Sequence, residues 1–227
     1  MFLPHLKLLT HKVVLLFKLS NYINYFINLF GNICVSKLAF YTQFNLQKPY
    51  KVSEDASSFS EDLSKVGVRV EQWPTMTHLS SAPILEEDVL KIYANEIERV
   101  MSEYNYNQVD LATMKPNDTF AVSIRGRYLS EHTHEEDEAR FFLAGKVLIY
   151  LNIDENIHIL ECGCGDFVLI PAGVKHWMDI GPSPDYTVIR WFNSKKAFIN
   201  NFTESFTAEA TPRWETIYSE AHFDIQQ

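Results

Sequence analysis

The twelve residues Glu131-His132-Thr133-His134-Glu135-Glu136-Asp137-Glu138-Ala139-Arg140-Phe141-Phe142 put two histidines and five carboxylates into eight positions, then an arginine and two phenylalanines. In an extended chain successive side chains alternate faces, so His132 and His134 project to one side and can reach a common ion. Glu138 returns to that parity after a corner, Glu135-Glu136-Asp137, that reads as solvated. With Glu138 opening the next strand, Arg140 and Phe142 share its face. A fourth donor comes from Gly165-Asp166-Phe167-Val168-Leu169-Ile170-Pro171-Ala172-Gly173-Val174-Lys175-His176, where the Pro-Ala-Gly turn ends one strand and His176 starts another. Neutral imidazole and carboxylate suit Fe, Ni, Mn, Cu or Zn. Three histidines and one glutamate around an octahedral ion leave two positions open, which fits catalysis or small-molecule binding better than a closed structural site. The metal ligands are therefore expected to be His132, His134, Glu138 and His176.

These two segments resemble the paired motifs of the cupin superfamily. Gly126, His132, His134, Glu138 and Gly145 match the first motif at every spacing, and Gly165, Pro171, Gly173 and His176 match the second, whose final Asn is replaced here by Ile180. Within the cupins the wording is similar to that of the acireductone dioxygenases. The sequences HTHEEDEARFF, GDFVLIPAGVKHWMDIG, the strand Tyr186-Thr187-Val188-Ile189-Arg190-Trp191-Phe192 and the earlier Gly67-Val68-Arg69-Val70-Glu71-Gln72-Trp73 carry that likeness, which runs from about Val35 to about Thr203. Met178, where the family often has Phe, departs from it. The resemblance implies an enzyme of methionine salvage that holds one Fe(2+) or Ni(2+) per chain, and the sparse cysteines place it in the cytoplasm. It would oxidise 1,2-dihydroxy-3-keto-5-methylthiopentene with O2. Fe enzyme of that family yields formate and 4-methylthio-2-oxobutanoate; Ni enzyme yields formate, carbon monoxide and 3-methylthiopropanoate. An ene-diol that loses protons can chelate through two oxygens, matching two open sites, and Arg140 would add positive charge where the dielectric is low. Phe142 and Trp177 are expected along the apolar part of the pocket, and Glu131 or Asp137 as partners that orient a ligand histidine. Two other classes keep the same ligands: a cupin that binds a metal and a small molecule without turnover, and another cupin oxygenase or isomerase.

Outward from the motifs, Ser57 to Gly67 reads as a short helix with Ser58 and Glu61 spaced as a capping box, and Val68 to Trp73 alternates as a strand. Leu85, Val89, Ile92, Tyr93, Ile97, Val100 and Met101 recur at three- and four-residue spacing, predicting one amphipathic helix from about Pro83, with Glu86, Glu87 and Asp88 in its first turn. Beyond residue 118 the pattern is one of short strands, 119–129, 138–144, 146–152, 157–161, 166–170, 175–180 and 186–193, separated by Gly and Pro turns. The fold class expected is α+β and predominantly β: a cupin-type β-barrel, or jelly roll, with N-terminal helices. Residues 35–117 form the helical and strand N-terminal part of the same domain, 118–203 the metal-binding core and 204–227 a tail.

The chain has 227 residues, 46% hydrophobic and 22% charged, with a net charge of -9. That balance, without clustered Lys and Arg, excludes a nucleic-acid surface and leaves small molecules or proteins as partners. Cys34, Cys162 and Cys164 offer no disulfide framework and suit a reducing compartment. Cys162 and Cys164 read as a turn, and His5, His11, His78, His158 and His222 as incidental. Residues 1–34 are rich in Leu, Phe, Ile, Asn, Tyr and Lys, make a poor membrane span because Lys18 and several Asn interrupt them, and lack a cleavage signature. They are read as translated sequence upstream of the true start, with Val35 as initiator. The expected state is a monomer with no membrane attachment.

Overall fold

A computed structural model describes residues 36–75 and 85–219. The 1–34 extension, Val35, the start of the amphipathic helix before Leu85, His78 and the end of the tail lie outside the described residues. The elements in chain order are β1 (Lys37–Thr42), β2 (Lys51–Ser53), α1 (Ala56–Ser64), β3 (Arg69–Gln72), α2 (Glu86–Ile92), α3 (Ala94–Tyr104), β4 (Gln108–Met114) and α4 (Ala121–Tyr128). Then come β5 (His132–Thr133), β6 (Glu138–Ile153), β7 (Asn156–Gly163), β8 (Asp166–Ile170), β9 (Lys175–Asp179), β10 (Tyr186–Phe192), β11 (Asn201–Phe202), α5 (Thr207–Ala210) and α6 (Trp214–Ser219).

Strand β6 organises everything else. Its first half pairs with β8 and β10, its second half with β7 and β9, so one strand belongs to two sheets. One sheet runs β4-β10-β6-β8-β3 and the other β11-β5-β9-β6-β7-β1-β2. Every pairing is antiparallel. This is the jelly-roll arrangement expected, although the ladder among the described residues does not close into a continuous barrel. The corner in β6 is Gly145, at φ +80°. A Cβ there would lie 1.8 Å from the Asp185 carbonyl oxygen, so only glycine lets β6 turn between the sheets. The two strands expected at 138–144 and 146–152 are thus one bent strand.

Burial on both faces explains why β6 reads as a nearly unbroken apolar run. Ala139, Phe141 and Leu143 face outward and pack under Val89, Tyr93, Ile97 and Val100 of the helical layer. Phe142, Val147, Ile149 and Leu151 face the interior between the sheets. Leu148 and Tyr150 face outward on the second sheet, beneath Ala208 and Ile217 of the C-terminal helices. Each fully buried Leu, Ile or Phe contributes roughly 1.5–3 kcal/mol, so this one strand anchors three layers.

Several local expectations change. The segment 119–129 is helix α4, not a strand. The predicted single helix is two, α2 and α3, broken at Tyr93, whose φ and ψ of -100° and 20° leave the helical region. Ser58 lies inside α1 and therefore cannot be its cap. Strands β1, β2 and β4 fall where no strand was expected. No helix among the described residues is long and apolar enough to cross a membrane.

Asp166 pins the first described residue to the roll. It is fully buried and accepts from the Gly163 amide at 2.7 Å, from Ser36 Oγ and from Gln72 Nε2. Burial pushes its pKa up to about 6, against those donors. A folded pKa above the unfolded 3.8 means that the protonated form is favoured on folding. Its stabilisation is complete below the unfolded value and is lost as pH rises through about 6. Relative to Asp166→Asn, the native chain is therefore expected to gain on the order of 1 kcal/mol between pH 7 and pH 5. Urea unfolding of both proteins at the two pH values measures this; an unchanged difference would contradict it.

Candidate metal centre

One end of the roll gathers the residues singled out by strand parity. α4 ends at Tyr128, the chain enters β5, and His132 lies opposite His176 in the β5–β9 pairing. His134 follows at the end of β5, and Glu138 opens β6. The ligand nitrogens of His132, His134 and His176 all lie within 4.8 Å of one another. Glu138 Oε2 is 3.1 Å from His134 Nε2 and 3.3 Å from His176 Nε2. The expected four residues are thus brought together, from β5, the loop after it, β6 and β9.

The rings are oriented by the backbone. Nδ1 of His132 meets the Ser130 carbonyl at 2.7 Å, that of His134 the Ile199 carbonyl at 2.9 Å and that of His176 the Val174 carbonyl at 2.8 Å. A carbonyl carries no proton, so each Nδ1 donates, and the neutral ring keeps its lone pair on Nε2. Burial, then the neighbouring His176, lowers the His132 pKa to about 4, which keeps that ring neutral at pH 7. Burial also works to lower His134, but the adjacent Glu138 outweighs it and raises the value. For Glu138 burial works upward, yet the charge of Arg140, then the contacts with the His134 and His176 rings, hold the carboxyl well below its usual range. Three imidazole nitrogens and one carboxylate form a set that fits a divalent transition ion.

Arg140 pairs through Nε with Glu138 Oε1, and its Nη1 approaches Met178 Sδ at 3.7 Å. A cavity of about 170 Å³ opens over this group. Besides the four donors and Arg140, it is lined by Met178, Ala197 and Phe198 on an apolar side, and by Arg127, Tyr128, Arg190 and Asn200 on a polar one. Arg190 is held by Asp110 through two bonds of 2.9 and 2.7 Å, with its guanidinium 4.6 Å from the Phe198 ring centroid.

Four expected roles are changed by position. Trp177, next to His176 in β9, points to the opposite face and stacks on Tyr150 at 5.1 Å, so it packs against the C-terminal helices instead of lining the pocket. Phe142 does share the parity of Glu138 and Arg140, but it is fully buried in the interior core with Val188 and is not among the cavity residues. Glu131 is buried and accepts from Asn152 Nδ2 at 2.7 Å and Thr203 Oγ1 at 2.6 Å. Asp137 accepts from the Ala172 amide at 2.8 Å and so ties the Pro-Ala-Gly turn before His176. Carbonyls, not these carboxylates, orient the imidazoles. The corner is not wholly solvated either: Glu135 is exposed, but Glu136 accepts from Ser194 Oγ at 2.7 Å and from the Asn193 and Ser194 amides.

Arg127, Tyr128, Ala197, Phe198 and Asn200 were not anticipated. Arg190 lies in the strand Tyr186–Phe192, where its parity with Val188 and Tyr186 was an available signal. Ala197 to Asn200 carry no pattern, because they reach the cavity by a 3-10 turn at Lys195–Phe198.

The description of the ARD/ARD' family matches residues 47–200. The chain is 35% identical over 181 residues to acireductone dioxygenase 2 of Pectobacterium atrosepticum, an alignment covering 80% of this chain and 99% of that one. It is 31% identical over 187 residues to the acireductone dioxygenase of Hahella chejuensis, covering 82% and 100%. A solved structure, acireductone dioxygenase from Bacillus anthracis with a cadmium ion in its active centre, superposes with a TM-score of 0.66 at 18% identity over 75% of this chain and all of that one. At that identity the likeness is one of fold.

Proposed function

The chain belongs to the ARD/ARD' family of acireductone dioxygenases, and from that premise we propose that it cleaves 1,2-dihydroxy-3-keto-5-methylthiopentene with O2 in methionine salvage, using one Fe(2+) or Ni(2+) held by His132, His134, Glu138 and His176. The products are formate and 4-methylthio-2-oxobutanoate in the Fe form, and formate, carbon monoxide and 3-methylthiopropanoate in the Ni form. The observation that carries the reading is the convergence of three carbonyl-oriented imidazoles and Glu138 at the floor of a cavity that also holds Arg140.

When bound, the ion supplies Lewis acidity that stabilises the deprotonated ene-diol. The chain does the rest. Ser130, Ile199 and Val174 carbonyls fix the ring tautomers, so no reorientation is needed when the site fills. Arg140 sits where negative charge collects on the substrate oxygens, and its value there is raised because water is largely excluded. Met178, Ala197 and Phe198 offer an apolar wall to the methylthio tail.

The test is metal analysis of protein from its native host, followed by acireductone decay in air. Accelerated decay with near-stoichiometric metal is expected, and assay for carbon monoxide separates the two forms. A fully metallated protein that does not accelerate decay would overturn the reading.

A further inference from the structure

Three guanidinium groups line the cavity, from Arg127, Arg140 and Arg190. Two are already matched by acids. Arg140 is paired with Glu138 and Arg190 is held by both oxygens of Asp110. Arg127 is different: it is exposed, and no ion pair or hydrogen bond ties it to a described residue. Its neighbour of like charge on the same helix, Arg125, is bound by Asp179 and Glu215 through four contacts of 2.7–3.0 Å. Two positions along an α-helix turn a side chain through about 200°, so Arg127 leaves the face that Arg125 uses and reaches the cavity rim. The chain as a whole carries a net charge of -9, which repels anions at long range.

We propose that Arg127 is a recruiting residue that draws the substrate into the cavity as an anion. An ene-diol conjugated to a carbonyl is a vinylogous acid and is ionised at neutral pH, so its arrival at a net acidic protein needs a local field of opposite sign. An unmatched cation at the mouth supplies that field, and apolar walls of low dielectric focus it. Because Arg127 acts through its charge at the rim, Lys serves in its place, and salt weakens the effect over a Debye length of about 10 Å at 0.1 M. The inference rests on the activity proposed above and assigns Arg127 a part in capturing its substrate.

The experiment compares kcat/KM for acireductone across ionic strength in metal-loaded wild type, Arg127→Gln, Arg127→Lys and Arg127→Glu. Lys91→Gln on α2, an exposed change of the same charge away from the cavity, is the control. At about 10 mM salt, Arg127→Gln should fall about fivefold to tenfold and Arg127→Glu further, within the range by which steering alters encounter. Arg127→Lys and Lys91→Gln should stay within about twofold, and at about 0.5 M salt the wild type and Arg127→Gln should converge. An Arg127→Gln deficit that is absent, or is equally large at high salt, or is shared by Lys91→Gln overturns the inference. Wild type without turnover fails the activity itself, a separate outcome.

Discussion

Alanine at position 176 is expected to empty the metal site while leaving the fold intact. His176 stands opposite His132 in the pairing of β5 with β9, and its ring is oriented by the Val174 carbonyl. Its surroundings are other polar donors, so truncation does not open the kind of apolar cavity that costs several kcal/mol in a core. Backbone pairing of β9 with β6 does not involve the imidazole. Three donors would remain, His132, His134 and Glu138. Loss of an outer partner costs a ligand set about 10–100-fold in affinity, and loss of a direct donor should cost more. Without several kcal/mol of Lewis-acid stabilisation, at about 1.4 kcal/mol per factor of ten, turnover should fall by about 10³-fold or more. Elemental analysis after dialysis, the melting temperature and acireductone consumption measure the three quantities separately. A variant that keeps one ion per chain and wild-type turnover removes His176 from the proposed ligand set.

Most of the proposed ligand set could be read from the sequence because strand parity is local and has a period of two; His176 came instead from the Pro-Ala-Gly turn before it. His132 and His134, then Glu138 and Arg140, are sorted by that rule without knowledge of the neighbours. The same rule places Trp177 opposite His176, and its burial against Tyr150 follows from it. Helix α4 was not legible for a related reason. Phe120, Val122 and Ile124 alternate with less apolar residues and imitate a strand, yet Phe120 and Val122 are 71% and 84% exposed. The contacts that decide the matter are Ala121, Ile124 and Tyr128, at three- and four-residue spacing against the interior core. Reading that segment as a strand hid Arg127 and Tyr128 as cavity residues. Strand β4 was missed because its burial is only intermediate along most of its length and its hydrogen bonds go to β10, 72 to 84 residues away. Phe198 and Asn200 join the cavity through folding of the chain after β10, which no periodic signal records.

Arg140 provides the sharper test of how the site divides its work. Arg140→Met keeps an unbranched, flexible stem and removes the charge, leaving all four proposed donors in place. In the metal-free protein Glu138 then loses its strongest opposing charge while its side chain is only 13% exposed. Breaking a buried pair from one side costs about 3–5 kcal/mol, and the metal-free variant should be destabilised on that scale. With the divalent ion bound, Glu138 again faces a cation, so most of that loss should be recovered. The metal-induced rise in melting temperature should therefore be larger for Arg140→Met than for wild type. Turnover should behave in the opposite way. The ion restores a partner to Glu138 but puts no donor where Arg140 is proposed to meet the substrate oxygens, so kcat should stay about 10²–10³-fold below wild type even at full metal occupancy. Calorimetry with and without metal, paired with kcat at measured occupancy, separates the two effects. If metal restores both stability and turnover, Arg140 acts only through Glu138; if turnover alone stays low, its charge is used on the substrate.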